Sequence, residues 1–591
     1  MSGIIGFLNK TSAANDVESL GLMLNLLRHE RDCVAGSLFL SEVALAVGWV
    51  GHAGSFAADL PVWNEGGDRC LIFNGEDYGG ALQHVLARYE TQGVQCLDAI
   101  NGIFSGVLVD SRARKVVLFN DRYGLSRIYY HESRDGFYFA SEAKALLQGF
   151  PHLRRMDARG LGEYVTCGCT LENRTLFPGL SLLPGAAAWE FSPGGDVRKR
   201  AYFDPATWMN QDPLAAPVYY PALRETIKRV VPRYLRASQP VALSLTGGVD
   251  CRMVLAAAHP PPATLPCYTF GGMLRECADV RVARKVARVS RQPYQVLALT
   301  PDFFTQFPQL ARDSVYRTDG AMDVSGATGL FLNRLAREVA PIRLTGNYGG
   351  EILRGLVPFR PRYPREGLFH PELRPHLEAA AATYAAQRQG HRVGFVAFKQ
   401  VPWHHYARFA LEQSVLTLRT PFLDNELVAL AHRAPPAPVE DKREARRLIA
   451  EWHSALGQVA TDRGWSARLT WLPHRFQQFC TEFMPRAEYV YDYGMPQWLA
   501  RVDRFIAPLH LERLFLGHQK YAHYRLWYRN QLSAFVKAVL LDSQTLSRPY
   551  LNGRFVEKLV RDHVTGRGNY TLEIHKLLTT EMIERHLIAH P

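Results

Sequence analysis

Ser244-Leu245-Thr246-Gly247-Gly248-Val249-Asp250-Cys251-Arg252 joins an apolar run, VAL at 241 to 243, to an amphipathic one, CRMVLAAA at 251 to 258. Paired glycines between a buried strand and a helix let the backbone approach an anion. The helix start aims free N–H groups and the positive end of its dipole at that anion. Thr246 can add a hydroxyl donor, and Asp250 can hold a Mg²⁺ that bridges phosphate oxygens. On spacing alone, a plain strand-to-helix turn with an acidic first residue reads equally well. The surroundings have to decide.

Outward from this turn, strands and helices alternate: LPCYTF (265–270), DVRVARKVARV (279–289), YQVLALT (294–300) and IRLTG (342–346). Alternation of this kind predicts parallel strands with crossover helices, a doubly wound α/β domain whose ligands sit at the carboxyl ends of the strands. Beyond about residue 400 the chain reads as mainly helical, with much Trp, Tyr, His and Arg. Before it the pattern differs. SGIIGFL, CLIFNGEDY, GIFSGVLVD, KVVLFNDRYG and RIYYHESRDGFYFA are short strands broken by Gly, Asn and Asp, which predicts an α+β domain with antiparallel sheets. The expected domains are residues 1–207 and 216–591, separated by a Pro- and Asp-containing exit.

The chain has 591 residues, too many for one ordinary core, and a globular composition with 47% hydrophobic and 21% charged residues. Its formal charge of +13 would suit a polyanionic partner, but Lys and Arg are dispersed among Asp and Glu, so no nucleic acid partner is expected. The nine cysteines form no CxxC pair, which is reduced-thiol usage. The start, Met-Ser-Gly-Ile-Ile-Gly-Phe, has no basic region ahead of an apolar one, and no apolar run has the length of a membrane span. A cytoplasmic protein is the simplest expectation.

The stretch at 244–252 resembles the SGGxDS loop of the N-type ATP pyrophosphatases, specifically the asparagine synthetase family, with Thr246 and Cys251 replacing the two serines. CYTFG (267–271) looks like the strand lining the adenine pocket, LTGNYGGE (344–351) like the SGxGxDE segment, and RTPFLDNELV (419–428) like VPFLDxxLV. The resemblance implies ATP and Mg²⁺. It places ATP against Leu245, Thr246, Gly247, Gly248, Asp250, Cys251, Tyr268, Thr269, Phe270, Thr345 and Gly346, and the metal on Asp250 and Glu351. The implied reaction is attack of a carboxylate on the α-phosphorus, loss of pyrophosphate, and capture of the acyl-adenylate by an amine. Two departures weaken the metal site: Asn347 stands where the first acid would be, and Gly350 where an Asp helps to bind metal and pyrophosphate. Either Asp250 and Glu351, with Asp279 or Asp424, reorganise around the metal, or catalysis is impaired. Tyr348 reads equally as a replacement base, as in the β-lactam synthetase branch, or as an aromatic packed behind a glycine loop. Arg463 would stand in for a lysine that steadies the intermediate.

Ser2-Gly3-Ile4-Ile5-Gly6 is similar to the CGIxG start of class II glutaminases, Asn74-Gly75-Glu76 to their NGE, and DRYGLSRIYY and FASEAKALL to two further motifs. The implied fold is an Ntn-hydrolase-like αββα sandwich. Its nucleophile is a Cys where this chain has Ser2, a far weaker nucleophile near neutral pH. GWVGH (48–52) lacks the arginine for the glutamine carboxylate, and Asn101 replaces the Asp for its amine. Each lost counter-charge is worth about 1.5 to 3 kcal/mol. Glutamine hydrolysis is therefore expected to be negligible.

The leading expectation is an AMP-forming carbon–nitrogen ligase whose amine does not come from glutamine, with a small-molecule or peptide substrate that closes a lactam or macrolactam, as in lasso peptide synthesis. Ammonia-dependent amidation of a small molecule or polysaccharide precursor is the second reading, and a silent scaffold the third. Pathway partners and a homodimer are compatible with each.

Overall fold

The computed structural model describes residues 3–9, 16–192, 197–436, 442–461, 487–506 and 510–589. Within them the amino-terminal part carries strands β1 (Gly3–Asn9), β2 (Cys33–Leu40), β3 (Leu45–His52), β4 (Val62–Trp63), β5 (Arg69–Gly75), β6 (Phe104–Asp110), β7 (Lys115–Asn120), β8 (Tyr129–Glu132), β9 (Gly136–Ala140), β10 (Ser181–Leu182), β11 (Ala187–Phe191) and β12 (Val197–Ala201). They form two antiparallel sheets of order β10-β8-β9-β1-β3-β2 and β12-β11-β7-β6-β5-β4. Side chains alternate across each strand. Ile4 therefore points into the layer between the sheets with Ile72, Val107 and Leu118, while Ile5 and Phe7 point outward onto Leu20, Met23 and Leu146. Leu71 and Phe73 face outward on the other side, against Val85 and Leu86. Burial on both faces explains why these strands are continuous apolar runs, and it makes the predicted αββα sandwich.

The next part is a five-stranded parallel sheet: β13 (Val241–Ser244), β14 (Cys267–Gly271), β15 (Tyr294–Ala298), β16 (Ile342–Thr345) and β17 (Thr417–Arg419), in the order β15-β14-β13-β16-β17. Helices Asp250–Ala258, Ala278–Val289 and Gly326–Val339 supply crossovers. Ala278–Val289 buries Val282, Ala283 and Val286 and leaves arginines between them, the amphipathic pattern of a helix laid on a sheet. The chain runs outward from β13 to β15, then returns to the other side of β13 with β16. That reversal opens a crevice between β13 and β16 at their carboxyl ends. The tail is helical, with Tyr524–Arg529, Ser533–Leu540, Gly553–Val564 and Thr571–Ile583 packed on helix Asp302–Arg317 through Phe303, Phe307 and Trp527.

No helix among the described residues is long and apolar enough to cross a membrane. The cysteines among the described residues are free thiols.

The two parts are joined by polar contacts as well as packing. His52 Nε2 lies 2.9 Å from the Gln413 carbonyl, Arg127 donates to the Pro402 carbonyl at 2.6 Å, and Arg317 pairs with Glu30 at 2.7 Å. Burial holds the imidazoles of His52 and His432 down at about 4 and that of His563 at about 3. These groups stay neutral in the folded chain but titrate at about 6.5 when it unfolds, so below that pH the unfolded state binds more protons. Stability is then complete above pH ~6.5 and is lost as pH falls toward ~4, at a slope of about 1.4 kcal/mol per pH unit for each such histidine. Melting temperatures measured from about pH 7 to about pH 4.5 are expected to fall steeply; a level profile would contradict these burials.

Candidate active site

Two strand-to-helix turns meet in the crevice. Ser244 and Thr345 are paired in register at the ends of β13 and β16. One turn leads into Asp250–Ala258, the other into Gly349–Arg354. They touch with no room to spare: a Cβ on Gly346 would lie 2.7 Å from the Asp250 carbonyl carbon and closer still to the Cys251 nitrogen. The resulting cavity of about 260 Å³ is lined by Thr246, Gly248, Asp250, Cys251, Thr345, Gly346, Asn347, Tyr348 and Glu351, residues singled out from the sequence, and also by Ser244, His405 and Arg408.

The first turn is braced from within. Cys251 Sγ lies 3.2 Å from both the Thr246 amide and its hydroxyl, and burial raises the thiol, so it serves as a neutral brace. Gly248 N donates to Thr246 Oγ1 at 3.3 Å, and Gly247 N donates to Asp279 Oδ1 at 2.7 Å. Leu245, Tyr268 and Thr269 are buried in the core, with Thr269 Oγ1 donating to the Leu245 carbonyl at 2.9 Å, and Phe270 packs under Arg343. These four predicted nucleotide contacts do not reach the cavity. The reason is the alternation of strand side chains, which sends them into packed layers. Gly247 is not among the residues lining the cavity either. Arg463 lies outside the described residues.

The acidic groups do not converge as a Mg²⁺ site requires. Asp424 caps helix Asn425–His432 and accepts from Asn101 Nδ2 at 2.8 Å, on the far side of the sheet end, and Asp279 is taken by the Gly247 amide. Asp250 Oδ1 is 3.3 Å from Arg354 Nη1. A side chain at Gly350 would begin 2.6 Å from Arg354 Nη2, so the guanidinium occupies the space of the missing carboxylate. No group of three metal-ligating side chains occurs among the described residues. Of the two carboxylates that line the cavity, Asp250 is already paired with a cation and Glu351 is raised by burial, so the donor set does not fit a Mg²⁺ held by the protein.

Glu351 remains in the cavity with its carboxyl raised by burial and then by the neighbouring charge of Asp250. His405 Nε2 lies 3.9 Å from Glu351 Oε1 and has no hydrogen-bond partner among the described residues. Burial, then His404 and Arg408, lower that imidazole to about 3, so the contact joins a carboxyl to a neutral ring and is no ion pair. His405 ends a widened π-type helix, Val396–His405, a feature that tends to occur at functional sites. Tyr348 sits beside it at a ring distance of 5.6 Å, with a left-handed φ of 68°. Such a backbone in a non-glycine residue persists only where its surroundings enforce it. His405 and Arg408 escaped the sequence reading because they carry no local motif; only the fold brings their helix over β16.

Comparison with known proteins agrees with both halves. A glutamine amidotransferase domain model matches residues 82–203, and an asparagine synthase model matches residues 222–414. The α/β part thus carries an asparagine synthase domain. Similar curated relatives include a probable glutamine-hydrolysing asparagine synthetase of Schizosaccharomyces pombe, 24% identical over 58% of this chain and 63% of that one. Asparagine synthetase 1 of Bacillus subtilis is 22% identical over 49% and 48%, and that of Lotus japonicus 22% over 70% and 65%. The chain thus spans about half to two thirds of the length of these relatives. Among solved structures, a glutamine phosphoribosylpyrophosphate amidotransferase from B. subtilis aligns at 11% identity over 50% of this chain and 65% of that one, with a TM-score of 0.24, too slight to add to the topology above.

In the amidotransferase-like part, the positions matched to the glutaminase motifs are engaged elsewhere. Ser2 lies outside the described residues. Glu76 is bound by Arg419 Nε at 2.9 and 3.0 Å and accepts from Tyr78 at 2.6 Å. Asn101 donates to Asp424 and accepts from the Asn425 amide at 2.9 Å. Asn74 Nδ2 points to Ser105 and Ser126, beside Gly75, while its Oδ1 is buried without a partner among the described residues. Glu76 and Asn101 therefore fasten the sandwich to the α/β part.

Proposed function

We propose that the protein is an ATP-dependent ligase that activates a substrate carboxylate as its acyl-adenylate and couples it to an amine that glutamine does not supply. The single observation that carries this reading is the convergence of the Thr246–Asp250 turn and the Thr345–Glu351 turn on one cavity at the switch point of a parallel sheet. A carboxylate oxygen attacks the α-phosphorus and pyrophosphate departs; the amine nitrogen then attacks the acyl carbon and AMP departs. Thr246 and Arg408, which line the cavity, face the phosphates. Among the described residues no carboxylate pairs with Arg408. Glu351, whose raised carboxyl suits proton transfer nearer neutral pH, takes the amine proton. Burial raises the Tyr348 hydroxyl, which supports the packed-aromatic reading over the base. A wider cleft of about 960 Å³ on the other face of helix Gly349–Arg354, lined by Tyr220, His391, His432 and Arg447, offers room for the acid.

The engagement of Glu76 and Asn101 in the domain junction supports an amine carried by the substrate itself, as in lactam or macrolactam closure, over ammonia from glutamine. The pairing of Asp250 with Arg354 favours a second reading, a nucleotide-binding protein without turnover. ATP–pyrophosphate exchange scanned over candidate acids separates them: exchange with one acid is expected, and none with any acid would sink the ligase. Glu351→Gln is expected to retain exchange while slowing amide formation by about 10²- to 10⁴-fold. No glutamate should be released from glutamine.

A further inference from the structure

We propose that Arg354 takes the place of the protein-bound divalent cation in this cradle, so that the pyrophosphate part of the nucleotide is held by a guanidinium rather than by a metal on two carboxylates. The inference rests on the nucleotide reading above. Three observations converge on it. A side chain at Gly350 would start 2.6 Å from Arg354 Nη2, so loss of the carboxylate and arrival of the guanidinium concern one volume. Arg354 Nη1 lies 3.3 Å from Asp250 Oδ1, so one of the two carboxylates that line the cavity is neutralised by the same group. Asp279, the other acid at the turn, holds the Gly247 amide at 2.7 Å.

Charge and geometry agree. A divalent ion needs anionic oxygens that are free to turn toward it, and here the nearest one faces a fixed cation. A guanidinium carries five N–H donors in a planar fork that matches phosphate oxygens two at a time, so it can hold Asp250 with one edge and offer the other to an anion. Arg354 is mostly shielded, with a side-chain exposure of 12%, and it stands on the first turns after β16, so its reach is fixed by the fold rather than by a surface loop. Arg408 lines the cavity itself, whereas Arg354 lines the wider cleft behind it and meets the cavity wall through Asp250, so an incoming pyrophosphate would draw the guanidinium across that wall.

The test is calorimetric titration of the full chain with sodium pyrophosphate, in EDTA and in excess Mg²⁺, with ATP titrated in parallel. Wild type is expected to bind pyrophosphate in EDTA within about threefold of its affinity in Mg²⁺, and Arg354→Gln to bind about tenfold or more weakly in EDTA while melting normally. Gly350→Asp combined with Arg354→Ala should make binding depend on Mg²⁺. Binding by wild type only in Mg²⁺, with Arg354→Gln unchanged, would overturn the proposal and leave the nucleotide cradle standing. Failure of both pyrophosphate and ATP to bind in either condition would overturn the cradle itself.

Discussion

Gly346→Ala is expected to abolish measurable nucleotide binding while leaving most of the fold in place. The added methyl would sit 2.7 Å from the Asp250 carbonyl carbon and nearer still to the Cys251 nitrogen, both of them backbone atoms that cannot swing aside. Relief requires the β16 turn to retreat from the β13 turn, and these two turns are the walls of the cavity. Displacement of reacting groups by about 1 Å can cost a factor of about 10² in rate. Overpacking of this kind costs about 1–3 kcal/mol in stability, which a 591-residue chain with several cores absorbs. Calorimetry with ATP, beside a melting curve, reads both effects. If Gly346→Ala protein binds ATP as wild type does, the two turns do not jointly form the site.

Lys144→Met should be the most destabilising single change to the domain junction, by about 3–5 kcal/mol. Lys144 is fully buried, donates to the Tyr316 carbonyl at 3.0 Å, contacts Glu142 closely and lies 3.4 Å from Asp319. Asp319 comes from the α/β part and also accepts the amides of Ala143 and Lys144 at 2.7 and 3.1 Å, capping a helix of the sandwich. Burial pushes the Glu142 carboxyl up, yet His29 and Lys144 together hold it down at about 2. Without the ammonium, two carboxylates remain in a site from which water is excluded, and the loss exceeds whatever the methionine gains by packing. Urea unfolding measures it. A shift under about 1 kcal/mol, or no recovery when Glu142→Gln is added, would show that the cluster is not charged as described.

Much of this is legible along the chain because it is local. The Thr246–Asp250 turn is a contiguous string whose glycines, hydroxyl and helix start act within a few residues, and the αββα strands declare themselves as apolar runs. Tyr268, Thr269 and Phe270 show the limit: their strand is evident from its apolar run, but which face of it meets the cavity depends on what packs on each side. Loss of an acid at Gly350 is equally readable, whereas its partner change is not. Arg354 gains meaning only when one helical turn brings its guanidinium back over that glycine.

The sequence alone determined the two layered folds, their order and the make-up of the Thr246–Asp250 turn, since these follow from short-range periodicity and backbone freedom. Tertiary structure decided the rest. It set Arg354 against Asp250, carried His405 and Arg408 over the end of β16, and turned Glu76 and Asn101 from substrate positions into ties to Arg419 and Asp424. Contacts between residues hundreds of positions apart leave no pattern in either local stretch. Only the closing of one domain on the other fixes the distances that select between binding a ligand and binding a neighbour.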